Sequence, residues 1–336
     1  MSFGLAYCRA FHGFSFMIEA YIGIVVGLGL LTFGADRFVE GAAVAASNFG
    51  IPPLLVGLTI VGFATSAPEL LVAGVASMNG NPSIAVGNAI GSNIANIGLV
   101  VGVTALIMPL NVKSRVLARE FPIMFICFAV AFALCWDGYL GFSDGVVLFV
   151  GLLGLIGVTT WLGMTDHARD SLGVEMETHI NDSMTTKRAV FWLIVGLGLL
   201  LFGSDLLVDG AVIVARHFGI SDLVIGLTIV AIGTSLPELA ASVASALKGE
   251  PDIALGNVIG SNMFNALGVL AVPAIIYPSQ LESAVMSRDF PIMICLSVVL
   301  FVMAVGWRRN GRLSRIEGTG LLLAFGVYQW MLYVSS

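Results

Sequence analysis

Thr65-Ser66-Ala67-Pro68-Glu69 recurs as Thr234-Ser235-Leu236-Pro237-Glu238, an offset of 169 residues. The same offset carries Gly87-Asn88-Ala89-Ile90-Gly91-Ser92-Asn93, followed by Asn96, onto Gly256-Asn257-Val258-Ile259-Gly260-Ser261-Asn262, followed by Asn265. It also carries Phe33-Gly34-Ala35-Asp36 onto Phe202-Gly203-Ser204-Asp205, and Arg119-Glu120-Phe121-Pro122 onto Arg288-Asp289-Phe290-Pro291. No gap is needed between residues 33 and 293. The chain is one unit written twice.

Each unit is apolar. Of the 336 residues 58% are hydrophobic and 11% charged, and the mean hydropathy is +0.99. A soluble domain carries about 25% charged residues. This chain cannot cover a water-facing surface, which argues against a soluble enzyme or a nucleic-acid module and makes the lipid bilayer its solvent. A crossing helix needs ~20 mostly apolar residues. Ten such stretches are expected near 18–46, 52–78, 82–109, 120–136, 142–162, 188–215, 221–247, 252–277, 289–306 and 316–333. The fold class is therefore an all-α polytopic membrane protein. An N-terminal extension (1–16) precedes repeat 1 (17–162), then a cytoplasmic loop (163–187) and repeat 2 (188–336). Met17 is the expected natural start, and residues 1–16 lack the ordered regions of a cleavable signal.

Five spans per repeat is an odd number, so the second repeat must enter the bilayer from the opposite face. The reading is ten helices in two inverted five-helix repeats, the architecture of secondary transporters with a substrate site at the repeat interface. Lys and Arg orient it. One side holds Lys113, Arg115, Arg119, Arg169, Lys187, Arg188, Lys248, Arg308, Arg309, Arg312 and Arg315, while the side of the N-terminus holds Arg9, Arg216 and Arg288. The richer side is cytoplasmic by the positive-inside rule, which puts both termini outside. The four cysteines, Cys8, Cys127, Cys135 and Cys295, have no metal or redox spacing and read as buried or lipid-facing.

Glu69 and Glu238 fall deep in spans two and seven, where an uncompensated carboxylate costs several kcal/mol. No Lys or Arg occupies the middle of any span, and Arg37, the nearest candidate, belongs near a helix end. Structural ion pairs and protonated, hydrogen-bonded acids are the alternatives to cation ligation. Proline removes an N–H and clashes with the carbonyl four residues back. Span two should therefore break near 62–66 and span seven near 231–235. Ser66 and Glu69 have capping-box spacing. A break exposes carbonyls at the negative end of a helix dipole, good ligands for a cation. Ser92 and Asn96 share a helix face, as do Ser261 and Asn265. The set is all oxygen, without thiolate or imidazole, and suits hard cations such as Ca²⁺.

At these motifs the chain resembles the sodium/calcium exchanger family of the calcium/cation antiporter superfamily, in its prokaryotic ten-helix form. The resemblance covers nearly the whole chain from Met17. It implies a core of helices two, three, seven and eight, with helices one and six sliding across it. It also implies four cation sites in a diamond. Glu69 and Glu238 would be the central carboxylates, and Thr65, Ser66, Thr234 and Ser235 hydroxyl or carbonyl ligands. Ser92 and Ser261 would add hydroxyls, Asn96 and Asn265 would complete the diamond, and Gly62 and Ala231 would offer carbonyls. Some members carry Asp where Asn265 stands, including the potassium-dependent exchangers, so the double Asn argues against potassium dependence. The implied activity is Na⁺/Ca²⁺ antiport in the plasma (inner) membrane, with Na⁺ and Ca²⁺ as substrates, no cofactor, and a monomer sufficient. Calcium/proton antiport and a passive cation channel are the competing readings.

Overall fold

The computed structural model describes residues 2–48, 66–111, 114–166, 184–247, 251–305 and 312–335. Helix α1 runs over Ser2–Asn48, so it begins well before the expected span at 18–46. Then come α2 (Ala67–Met78), α3 (Pro82–Ala95, continued to Ile107), α4 (Ser114–Leu134) and α5 (Phe142–Asp166). The second half holds α6 (Thr186–Phe218), α7 (Asp222–Ile225, continued to Thr234), α8 (Leu236–Leu247) and α9 (Pro251–Phe264, continued to Ile276). It closes with α10 (Val285–Asp289, continued to Val305) and α11 (Arg315–Ser335). Among the described residues seven helical segments are long and apolar enough to cross a bilayer, and Ala67–Met78 and Glu120–Leu134 are shorter apolar helices. The first half of expected span two, 52–65, lies outside the described residues.

Element boundaries repeat with the sequence. Shifting α2, Ala67–Met78, by 169 gives α8, Leu236–Leu247, and shifting Pro82–Ala95 gives Pro251–Phe264. Four two-residue strands, which the hydropathy pattern does not announce, tie the halves together. Leu110–Asn111 (β1) pairs antiparallel with Arg312–Leu313 (β4), and Tyr139–Leu140 (β2) with Ser279–Gln280 (β3). Each ribbon takes one strand from each repeat.

The outer pair, α1 and α6, touches backbone to backbone at small residues. A Cβ on Gly27 would fall 2.7 Å from the Gly203 carbonyl oxygen, and one on Gly34 would fall 3.1 Å from that of Gly196. Gly41 meets Ala189, and Gly210 meets Ala20. Numbers rise along one helix as they fall along the other, so the pair is antiparallel. The offset of 169 maps Gly27 to Gly196 and Gly34 to Gly203, so it exchanges the two central contacts. Small residues let membrane helices approach closely where the hydrophobic effect gives no drive between them.

The packing is inverted relative to a water-soluble protein. Val25, Ile126, Val150, Ile194, Val302 and Leu323 are exposed, whereas Glu69, Asn88, Ser92, Asn96, Thr234, Glu238 and Asn265 are buried. An apolar exterior around a polar centre fits a protein solvated by lipid. The centre is made by α2, α3, α7, α8 and α9, and α3 is buried continuously from Ile84 to Gly98.

Candidate functional site

The break expected in span seven is present. Helix α7 ends at Thr234, Ser235 is a turn with φ −81° and ψ 3°, and α8 starts at Leu236 with Pro237 in its first turn. Ser66 has nearly the same conformation, φ −92° and ψ 6°, before α2. The expected capping box is not formed. Ser66 makes no side-chain cap hydrogen bond, and Glu69 does not reach back as a donor-satisfying partner. Ser66, at φ −92° and ψ 6°, lacks the extended backbone an N-cap usually has.

The structure buries all of these groups that it describes and links several of them. Of the expected ligands, Ser66, Glu69, Ser92, Asn96, Ala231, Thr234, Ser235, Glu238 and Asn265 are 0–1% exposed and Ser261 is 3% exposed. Thr65 and Gly62 lie outside the described residues. Across the repeats, the Ser92 and Thr234 hydroxyls are 3.4 Å apart, and Glu69 and Glu238 interact electrostatically. Within repeat 2, the Ser261 hydroxyl donates to Glu238 Oε1 at 3.5 Å. The Ala231 carbonyl, expected as a ligand, accepts from the Ser235 N–H at 3.1 Å, and the Thr234 hydroxyl lies 3.4 Å away. The Ser235 N–H takes one of its two lone pairs.

Many of the remaining oxygens are unsatisfied. Among the described residues, both carboxylate oxygens of Glu69, the Ser66 and Ser235 hydroxyls, Asn96 Oδ1 and the whole Asn265 amide make no hydrogen bond. Buried polar atoms are normally paired, and an orphan calls for an explanation such as an ion. Among the described residues the arginines with ion pairs do not supply it. Arg37 is held by Glu40 at 2.7 Å and Asp36 at 3.7 Å, and it stacks over the Phe33 and Trp192 rings. Arg288 is held by Asp289 at 2.7 Å.

Three features carry signals that the motif reading does not use. Asn96 and Asn265 each open a π-helical segment, Asn96–Val101 and Asn265–Val269. Such bulges reset the helix face and are frequent at functional sites. Asn262 accepts from Asn96 Nδ2 at 3.1 Å, which leaves Asn96 Oδ1 as the free end of that amide. Asn88 joins both repeats through three polar groups. Each of these asparagines stands in the doubled motif, so their repetition inside apolar helices was the available signal.

A model of the sodium/calcium exchanger protein family matches residues 19–161 and 188–334. The chain belongs to the sodium/calcium exchanger family. It is a transporter-family protein and not an enzyme. Sodium/calcium exchanger MaX1 of Methanosarcina acetivorans is 30% identical over 347 residues, covering 93% of this chain and 98% of that protein. Inner membrane protein YrbG of Escherichia coli is 40% identical over 317 residues, covering 94% and 96%. The solved structure of the sodium-calcium exchanger NCX_Mj soaked with Na⁺ and Sr²⁺ superposes with a TM-score of 0.62. It is 32% identical and covers 93% of this chain and 97% of that one. The all-α polytopic membrane fold is shared with this family.

Proposed function

We propose that the protein is a secondary antiporter that exchanges Na⁺ for Ca²⁺ by alternating access. The observation that carries this reading is the set of unpartnered buried oxygens at Glu69, Ser66, Asn96, Ser235 and Asn265, drawn from both repeats. They are hard ligands, and their carboxylates supply the charge that a divalent cation balances. The Na⁺/Ca²⁺ exchangers among its relatives and neighbours support the choice of ions.

The two repeats are inverted in this reading, with ten helices in all. The antiparallel packing of α1 on α6 and the exchange of their glycine contacts under the 169-residue offset support it. So does the strand pairing, because an odd number of spans per repeat puts β1 with β4 on one side and β2 with β3 on the other. The cation sits between α2, α3, α8 and α9, and the α1–α6 pair moves across them to open one face and then the other. Na⁺ and Ca²⁺ share ligands, so one displaces the other and exchange is obligatory. An empty centre would move buried carboxylates through lipid, which opposes a return without cargo. Three Na⁺ against two carboxylates leave a net charge of +1, and each charge moved is worth ~2.3 kcal/mol per 100 mV. Inward Na⁺ then drives Ca²⁺ out across the plasma membrane, with both termini outside.

The test is uptake of radiolabelled Ca²⁺ into proteoliposomes loaded with Na⁺, choline, or a pH gradient. Uptake that requires internal Na⁺ and responds to an imposed potential supports the reading. Uptake driven by the pH gradient alone replaces it with proton antiport, and uptake indifferent to every counter-ion replaces it with a channel.

A further inference from the structure

Asn88 sits beside the cation ligands without being one of them. It is fully buried on α3. Its Oδ1 accepts from the Thr234 hydroxyl at 3.1 Å and from the Ser92 hydroxyl at 3.3 Å. Its Nδ2 donates to the main-chain oxygen of Glu69 at 3.1 Å. A carbonyl oxygen has two lone pairs, and here each receives one hydroxyl. A hydroxyl has one proton and two lone pairs. Once the proton is committed, only acceptor capacity is left to face anything else.

We propose that Asn88 is a positioning residue for cation binding: it takes the protons of Thr234 and Ser92 and thereby aims their lone pairs at the ion. The inference rests on the ion-site reading above. The two hydroxyl oxygens are 3.4 Å apart. Two ligands ~2.4 Å from a Ca²⁺ and at right angles to each other are separated by about 3.4 Å. Without Asn88, either hydroxyl could donate to the other or, for Thr234, to the Ala231 carbonyl 3.4 Å away or the neighbouring Glu69 carboxylate. A hydroxyl donating within that pair would turn its partner's lone pair away from the ion. The bond to Glu69 fixes the first turn of α2 at the same point, so a single amide holds α2, α3 and α7 in register. The asparagine at the same place in repeat 2, Asn257, is only half-buried and donates to Ser242 instead. The repeat-1 counterpart of Thr234, Thr65, lies outside the described residues.

The test compares Asn88→Leu, of similar size without an acceptor, with Asn88→Asp, which keeps Oδ1. Each full-length variant is purified, and the Ca²⁺ dependence of its melting temperature is titrated alongside Glu69→Gln. Removal of a residue that orients a metal ligand costs about 10–100-fold in affinity. Asn88→Leu should raise the apparent Ca²⁺ dissociation constant by about that factor, with Asn88→Asp closer to wild type. A packing role predicts the reverse order, because leucine fills a buried apolar site better than aspartate. Equal affinities in wild type and Asn88→Leu would overturn the Asn88 assignment alone. Loss of fold in every acceptor-free variant, Asn88→Ala included, would make the residue structural and overturn it too. A wild type with no Ca²⁺ response would overturn this proposal together with the ion-site reading.

Discussion

Replacing Gly87 by alanine tests whether the α3–α7 contact sets the site geometry. A Cβ at that position falls 2.5 Å from the Leu223 carbonyl oxygen and 3.0 Å from both Gly226 Cα and Leu227 N. These are backbone atoms, so no side chain can rotate out of the way. Restoring ordinary contact requires the helices to part by about 0.9 Å. Asn88 follows Gly87 directly, and its Oδ1 is 3.1 Å from the Thr234 hydroxyl at the end of α7. The same displacement takes that pair to about 4 Å, beyond hydrogen-bond range. Overpacking costs about 1–3 kcal/mol, the lost hydrogen bond about 1 kcal/mol, and the better helix propensity of alanine returns about 1 kcal/mol. The net is a destabilisation of about 1–3 kcal/mol together with a loosened cation centre. Gly151→Ala is the control, since its Cβ meets only the Leu267 methyls, at 3.6 and 3.8 Å, and it gains propensity. Melting temperature in detergent and Ca²⁺ uptake in proteoliposomes are measured for both. Gly87→Ala should melt lower and lose at least tenfold in uptake, and Gly151→Ala should do neither. A Gly87→Ala protein that melts and transports like wild type would refute the claim that this backbone contact holds the site.

Further outcomes follow from other parts of the molecule. Gly27→Val pushes against the Gly203 carbonyl oxygen, 2.7 Å from the Cβ position; it should lower the melting temperature and stall transport, with Ca²⁺ binding retained because the site lies on other helices. Asp289 is buried and takes bonds from Arg288 at 2.7 Å and from the Tyr328 hydroxyl at 3.0 Å; Tyr328→Phe should cost about 1 kcal/mol and Asp289→Ala about 3–5 kcal/mol, read from denaturation midpoints. Glu282, in the β3–α10 connection, has its carboxyl pushed above the ordinary 4.5 by burial, helped by Asp222 and Asp289. The folded state then binds that proton more tightly than the unfolded chain, so stability falls as pH rises from 4.5 upward. Glu282→Gln should flatten that slope in a melting series, and an unchanged slope would assign it to another group.

Much of this was legible in the sequence because a bilayer constrains a chain in few ways. Apolar runs give the spans, and the doubled TSxPE and GNxxGSNxxN stretches mark where polar atoms must be buried. Ser235 breaks span seven within the expected 231–235 interval, since proline leaves the chain no other course there. What was not legible depends on three-dimensional placement. The capping box has the right spacing at Ser66 and Glu69 and does not form. The Ala231 carbonyl keeps a helical bond from the Ser235 N–H across the turn. The π segments at Asn96 and Asn265 reflect packing of α3 and α9 and have no periodicity to announce them. The β1–β4 and β2–β3 ribbons join residues distant in sequence and only two residues long. Asn88 stood in the motif, but its role emerges only when Thr234, from the other repeat, is placed against it.

The central claim is that buried, unpartnered oxygens from both repeats form one cation site. Equilibrium binding of radiolabelled Ca²⁺ to the purified protein tests it most directly, with wild type and Glu69→Gln compared over a range of Na⁺. The account predicts saturable binding to wild type that Na⁺ displaces, and loss of that binding in Glu69→Gln, whose two carboxylate oxygens make no hydrogen bond among the described residues. Saturable Ca²⁺ binding that survives Glu69→Gln unchanged would contradict it.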